Sequence, residues 1–131
     1  MRLAIALLTL AALVAGCGSM QGPSGTAGNL DKHYLITYEE IKASRMPGGN
    51  AYDLIAQLRP SFLRVRGPAS ASDLTPVQAM VYLDGVRYGK LESLKTLNIE
   101  QIREIEFINA SDATTRYGTD HLGGAILIHT R

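Results

Sequence analysis

The hydrophobic positions after residue 30 change their spacing from one short segment to the next, and this divides the chain into elements. Between Ala51 and Leu58 the apolar residues recur at helical spacing, and Asn50 is placed to cap that helix. Thr37 and Glu40 have the spacing of a capping box, which predicts an earlier helix of about two turns. A short strand over residues 34–36 is predicted to precede it.

Two later segments alternate with period two, as half-buried strands do. Over residues 103–108, Ile105 and Phe107 share one face, while Glu104 and Glu106 share the other. The sequence therefore predicts a strand there, with both apolar side chains buried and both carboxylates in water.

The second alternating segment covers residues 62–66. Leu63 and Val65 would lie on its buried face, and Arg64 and Arg66 on the opposite face. Two arginines on one face can bind a carboxylate or a phosphate. More commonly, such a face is the solvated side of an outer strand.

Glycines indicate where the chain turns between strands. Asp84-Gly85 predicts a tight turn that joins strands over residues 77–83 and 86–88. Gly123-Gly124 leads into a last strand over residues 125–130. Because that strand is apolar on both faces, we expect it in the middle of a sheet.

Short helices complete the predicted pattern. Ser111 is predicted to cap a helix that ends at Tyr117, with Gly118 as a left-handed stop. Shorter helical segments are predicted over residues 91–97 and 98–101. Strands alternating with short helices in about 100 residues indicate an α+β fold, with a small mixed β-sheet and helices against it.

Residues 1–16 have the layout of a secretory signal peptide. A positive start precedes an apolar run from Leu3 to Val14, and small residues precede Cys17. The ending Leu-Val-Ala-Gly-Cys resembles the lipobox of bacterial lipoproteins. That resemblance implies cleavage before Cys17 and a diacylglycerol, with acyl chains such as palmitate, on its thiol. The alternative is an ordinary signal peptide followed by an incidental cysteine.

Composition predicts a linker and limits the classes of partner. Residues 17–30 are rich in glycine and serine, which predicts a flexible tether with a reach of about 20 Å before a folded domain over residues 31–131.

Cys17 is the only cysteine, so a disulfide within the chain is excluded. Without residues 1–16 the basic and acidic side chains balance, which gives no reason to expect nucleic acid as a partner. No polybasic segment is present, so acyl chains would hold the membrane.

The chain carries no recognisable catalytic motif. Its three histidines, His33, His121 and His129, lack the spacing of metal ligands. Asp120 beside His121 is the one carboxylate next to a histidine, and adjacent loop residues rarely point at one site. No nucleophile elbow, phosphate-binding loop or dinucleotide fingerprint occurs. We expect no enzyme activity, no cofactor and no metal.

Several motifs in the second half closely resemble the plug domain of TonB-dependent outer-membrane receptors. Their order and spacing carry the resemblance more than any single motif does. The matching positions are Asp84-Gly85, residues 99–108, Ala110-Ser111, Ala113-Thr114, Tyr117-Gly118, Gly123-Gly124 and the closing apolar strand to Thr130.

The resemblance implies a plug-like fold and a role in docking against envelope proteins. In the family the last strand leads into a β-barrel; because this sequence stops at Arg131, we expect a stand-alone plug-like domain. The expected partners are outer-membrane or envelope proteins, with a TonB-dependent barrel as one candidate, and the membrane through the lipid anchor. Gly18 rather than aspartate follows Cys17, which favours the outer membrane, with the domain facing the periplasm.

Two surfaces are candidates for that docking. The first comprises Arg116, Tyr117, Asp120 and His121 around the predicted helix stop, and the alternative comprises Arg64 and Arg66. The competing function is small-ligand binding associated with outer-membrane uptake, with residues 67–76 and 118–122 as the lining. An envelope enzyme is a third and weaker alternative.

Overall fold

A five-stranded mixed sheet organises the structure. The computed structural model describes residues 33–68, 70–72 and 74–131; the predicted signal peptide, Cys17 and tether lie outside these residues. The strands are β1 (Leu35–Ile36), β2 (Arg66–Pro68), β3 (Pro76–Val77), β4 (Met80–Leu83), β5 (Val86–Gly89), β6 (Ile102–Ile108) and β7 (Ala125–Thr130). The sheet order is β1-β6-β7-β4-β5, and β2 pairs with β3 separately.

Strand β7 lies in the middle of the sheet, as the sequence predicted. It pairs parallel with β4 and antiparallel with β6. Ile126 and Ile128 pack into the larger core on one face, while Ala125 and Leu127 pack into a smaller core on the other. A mixed sheet with short helices on both faces confirms the α+β fold class.

Short helices cover the two faces of this sheet. They are α1 (Tyr38–Ala43), α2 (Ala51–Leu58) and α3 (Ala110–Tyr117), with 3₁₀ segments Pro60–Leu63, Leu91–Thr96 and Ile99–Gln101. The capping box before α1 is confirmed: the Glu40 amide donates to Thr37 Oγ1 over 3.4 Å, and the Thr37 amide donates to Glu40 Oε2 over 3.2 Å. Asn50 caps α2 as predicted. In the part of the chain that is described, no helix has the length and apolar run needed to cross a membrane.

The larger core lies between the sheet and α1, α2 and the 3₁₀ segments. Its fully buried members include Ile36, Leu54, Ile55, Leu94, Ile105 and Ile128. The smaller core lies under α3 and consists of Met80, Tyr82, Ile108, Ala113, Ala125 and Leu127. Ile105 is buried as predicted, but Phe107 is only half-buried, because it lines an open surface cleft. Glu104 and Glu106 are also half-buried rather than fully in water.

The predicted strand over residues 62–66 is wrong. Pro60 begins a 3₁₀ turn that carries Phe62 into the core, where its ring stacks on Phe107 with centroids 4.9 Å apart. Val65 is 57% exposed rather than buried. Arg64 and Arg66 are both exposed, but only Arg66 belongs to a strand, β2.

Two element boundaries also differ from the prediction. Helix α3 is capped by Asn109, whose Oδ1 accepts the Asp112 amide over 3.0 Å, and Ser111 lies inside the helix. Asparagine and serine cap about equally well, so position alone could not choose between them. The strand predicted from residue 77 begins instead at Met80, because residues 76–77 pair with β2.

Candidate functional site

The turn between α3 and β7, residues 118–124, has a backbone path that requires glycine. Gly118 ends α3 with φ 100° and ψ 179°, a conformation essentially confined to glycine. The positive φ was predicted, although the conformation is extended rather than left-handed helical. A side chain at Gly123 would overlap the backbone of Gln78. The turn is therefore pressed against the chain that enters β4.

His121 is the residue that holds this turn in place. It is 2% exposed, which makes the expectation of an exposed histidine wrong. Its Nδ1 lies 2.9 Å from the Gly118 carbonyl oxygen and its Nε2 lies 2.8 Å from the Tyr82 hydroxyl. Because a carbonyl only accepts, Nδ1 carries the proton and Nε2 accepts the hydrogen bond from Tyr82.

Tyr82 links the turn to the smaller core. Its ring stacks on Tyr117 with centroids 4.3 Å apart. Burial raises the pKa of Tyr82, and Tyr117 raises it further, whereas the Arg87 charge opposes them. The hydroxyl therefore stays protonated and donates to His121. Tyr82 had no sequence signal as a site residue, since it lies 39 positions from His121.

The predicted docking surface is thus only partly a surface. Arg116 and Asp120 are exposed, Tyr117 is half-buried, and His121 is inside. Leu122, which the sequence did not single out, is 51% exposed. The turn presents a carboxylate and an apolar side chain outward while its histidine is fixed inward.

A groove of about 270 Å³ opens beside this turn. It brings together the two segments expected to line a ligand site. Thr75 and Pro76 lie on one side, and the other side is lined by Thr119, Asp120, Leu122 and Gly123. Two exposed cations, Arg87 and Lys90, also line it. Neither forms an ion pair within the described residues, so the groove offers free positive charge near Asp120.

A second, smaller cleft of about 160 Å³ lies on the β1 side of the same end of the sheet. It contains the alternative candidate pair, Arg64 and Arg66, and Gly123 borders both this cleft and the groove. The lining residues are His33, Tyr34, Ser61, Phe62, Arg64, Arg66, Phe107 and Gly123.

At the opposite end of the sheet, the Asp84-Gly85 turn has a structural role. The residues have φ of 46° and 84°, as the predicted tight turn requires. Thr130 donates to the Asp84 carboxylate through its hydroxyl over 2.6 Å and its amide over 2.9 Å. These two hydrogen bonds hold the pKa of Asp84 below its ordinary value of 3.8. Asp84 thereby ties the β4–β5 turn to the end of β7.

Metal-ligating side chains do not gather anywhere in the described residues: no group of three or more histidine, cysteine, aspartate or glutamate side chains is close enough to hold an ion. His33, His121 and His129 lie in separate places, respectively the smaller cleft, the 118–124 turn and strand β7.

The fold and these surfaces define a small α+β domain with a mixed five-stranded sheet, in which the 118–124 turn lies between the groove and the smaller cleft. No family model matches the chain, and no curated protein matches it. Among solved structures, a mutant of the ferric enterobactin receptor (PfeA) from Pseudomonas aeruginosa, in complex with enterobactin, is similar with a TM-score of 0.49 and 23% sequence identity. The match covers 74% of this chain but only 17% of the receptor.

Proposed function

We propose that this protein is a non-enzymatic outer-membrane lipoprotein whose plug-like domain binds envelope proteins on the periplasmic side. The lipobox at Cys17 supports the anchor, and the order of motifs from Asp84 to Thr130 supports the plug-like domain. The observation that carries the interaction role is the rigid display of Asp120 and Leu122 on the 118–124 turn.

Rigid display favours binding because a preorganised surface loses little conformational entropy when a partner docks. His121 has both ring nitrogens hydrogen-bonded beneath the exposed Leu122. Leu122 and the Asp120 carboxylate lie together at the groove, and an apolar side chain beside polar groups is the layout of a small interface, which has an apolar centre and a polar rim.

Cross-linking in intact cells from position 122, followed by identification of the attached proteins, tests the interaction role. Arg116→Ala and Asp120→Ala should weaken capture of the cross-linked partner from envelope extract, with melting curves nearly unchanged because both side chains are exposed. Arg64→Ala with Arg66→Ala is the matched control, on the alternative surface. Full capture by the first pair and loss with the control would place the interface at the smaller cleft.

The anchor is tested separately. Cys17→Ser should abolish incorporation of a labelled fatty acid in growing cells, since Cys17 is the only thiol. Label retained in the Cys17→Ser protein would rule out the proposed attachment site.

Small-ligand binding is the second candidate, and the groove of about 270 Å³ favours it. Arg87 and Lys90 would hold an anionic group, while the Asp120 carboxylate could accept from a hydroxyl or amine of the same ligand. Citrate and inorganic phosphate serve as probes: either should raise the melting temperature of the wild type more than that of Arg87→Gln with Lys90→Gln. Equal shifts in both proteins would remove the groove as an anion site.

A further inference from the structure

We propose that the smaller cleft and the segment 64–66 form a face that lies against an anionic phospholipid surface. This inference rests on the proposed lipid anchor at Cys17, and it adds an orientation for the domain that the anchor alone does not give. The face consists of Tyr34, Arg64 and Arg66, which line the cleft together, and it is called the arginine face below.

The charge of the arginine face matches phosphate head groups. Arg64 and Arg66 are exposed and form no ion pair within the described residues. The described residues that line the cleft include both arginines and no carboxylate. Guanidinium groups bind phosphate oxygens through paired hydrogen bonds, which makes arginine the better residue for such a surface.

The aromatic side chain beside these charges suits the membrane interface. Tyr34 lines the cleft with the two arginines and is 41% exposed, and tyrosine is a residue type enriched at membrane interfaces. A stack of rings holds Tyr34 in position: it lies parallel to Phe107 at 6.4 Å, and Phe107 lies parallel to the buried Phe62 at 4.9 Å. The exposed aromatic is therefore supported from the core.

The course of the chain makes this face the one nearest to the anchor in sequence. His33 lines the cleft and lies sixteen positions after Cys17. Sixteen residues span at most about 58 Å even when fully extended. The cleft is thus the described part of the domain nearest to Cys17 along the chain, whereas the Asp84-Gly85 turn lies at the opposite end of the sheet.

The strength of the arginine contacts limits what the arginine face can do. Two arginines near an anionic surface each strengthen association about fivefold, which is too little to hold a free domain on a membrane. For a domain already anchored nearby, the same factor is enough to select which side rests on the lipid. The arginine face therefore orients the domain, and acyl chains provide the attachment.

The absence of tryptophan from the sequence allows a direct test. Val65→Trp places a single reporter at an exposed position between the two arginines in sequence, and Val86→Trp, on β5 at the other edge of the sheet and 70% exposed, is the matched control. The full chain is isolated from cell membranes and reconstituted into vesicles of phosphatidylcholine, with or without phosphatidylglycerol. Only Val65→Trp with phosphatidylglycerol should show blue-shifted emission and quenching by brominated lipid chains.

Charge variants identify the cause. Arg64→Gln and Arg66→Gln, made in the Val65→Trp protein, should each lower the bound-to-free ratio of the face about fivefold. Arg87→Gln with Lys90→Gln should leave the ratio unchanged, although it removes two positive charges where each test variant removes one. Salt at about 1 M, where the screening length is about 3 Å, should abolish the difference between the two vesicle types.

Several results would overturn the arginine face. The first is equal quenching of Val65→Trp and Val86→Trp. The second is loss of the signal when inorganic phosphate is added at constant ionic strength, and the third is a signal that requires added envelope protein. Mass spectrometry of the isolated chain reports whether Cys17 is acylated. If it is not, the lipoprotein proposal fails, and a maleimide lipid coupled to Cys17 still measures the face.

Discussion

Single side chains decide how the 118–124 turn is held, and His121 is the clearest case. Its two hydrogen bonds join residues that are distant in sequence, and its burial leaves Asp120 and Leu122 facing outward. Nothing in the local sequence signals this, because Asp120-His121-Leu122 reads as an exposed loop. Only the fold brings the Tyr82 hydroxyl within hydrogen-bond distance of His121. His121, which the sequence suggested as a docking residue, therefore has a structural role.

His121→Phe should destabilise the domain by about 1–3 kcal/mol, because the Tyr82 hydroxyl and the Gly118 carbonyl lose their buried partner. Tyr82→Phe should cost a similar amount, since it leaves His121 Nε2 without a donor. Urea denaturation of both single variants and the double variant checks this. Strictly additive free energies of unfolding would contradict the hydrogen bond between the two side chains.

The Asp84 carboxylate should make stability depend on acid pH. Its pKa is lowered by the two hydrogen bonds from Thr130, so the folded state binds the proton less readily than the unfolded state. The contribution is therefore fully present above the unfolded pKa near 3.8 and is lost as the pH falls through the lower folded pKa. Asp84→Asn should flatten the midpoint-versus-pH curve in that acid window, and an unchanged curve would contradict the assignment.

At the scale of elements, local patterns predicted most of the helices and central strands, and the largest exception has a long-range cause. The capping box, the Asn50 cap, the Asp84-Gly85 turn and the double-sided β7 depend on short-range chemistry and occur as predicted. The strand predicted over residues 62–66 does not form, because Phe62 stacks on Phe107, 45 positions away. This contact outweighs the tendency of an alternating segment to form a strand. Alternation cannot encode a partner at that distance.

Phe107→Ala should cost less than the roughly 3–5 kcal/mol typical of a fully buried phenylalanine, because Phe107 is only half-buried. Ile105→Ala, at a fully buried position two residues away on the same strand face, is the comparison and should cost roughly 2–5 kcal/mol. Thermal or urea unfolding of the two variants shows which of them loses more stability. A larger loss for Phe107→Ala would show that the ring stack contributes more than burial.

Gly118→Val should destabilise by roughly 1–3 kcal/mol, because a β-branched residue tolerates the backbone conformation at Gly118 poorly. Gly67→Val is the control, since its φ is not positive and a Cβ there meets nothing within 4 Å. Comparing the two midpoints separates backbone strain from added bulk. Equal losses would mean that the conformation at Gly118 is not required.

For the whole molecule, the two clefts share one end of the sheet and meet at Gly123. If the arginine face rests on lipid, the groove and the exposed Leu122 are held close to the same membrane. A partner embedded in that membrane is then within reach, whereas a partner free in the periplasm gains nothing from the arrangement. The proposed interaction role and the proposed orientation therefore favour the same kind of partner.

The central place of β7 has a consequence for how the chain reaches its native state. The β4–β5 hairpin closes over a two-residue turn, but β4 and β7 are joined across about 45 positions, and only β7 connects the β1–β6 pair to the β4–β5 hairpin. Such non-local pairing is slow relative to hairpin closure. Until the chain has been synthesised as far as residue 130, the remaining strands cannot assemble into one sheet. Formation of the sheet therefore waits for the whole domain, however fast the local hairpin closes.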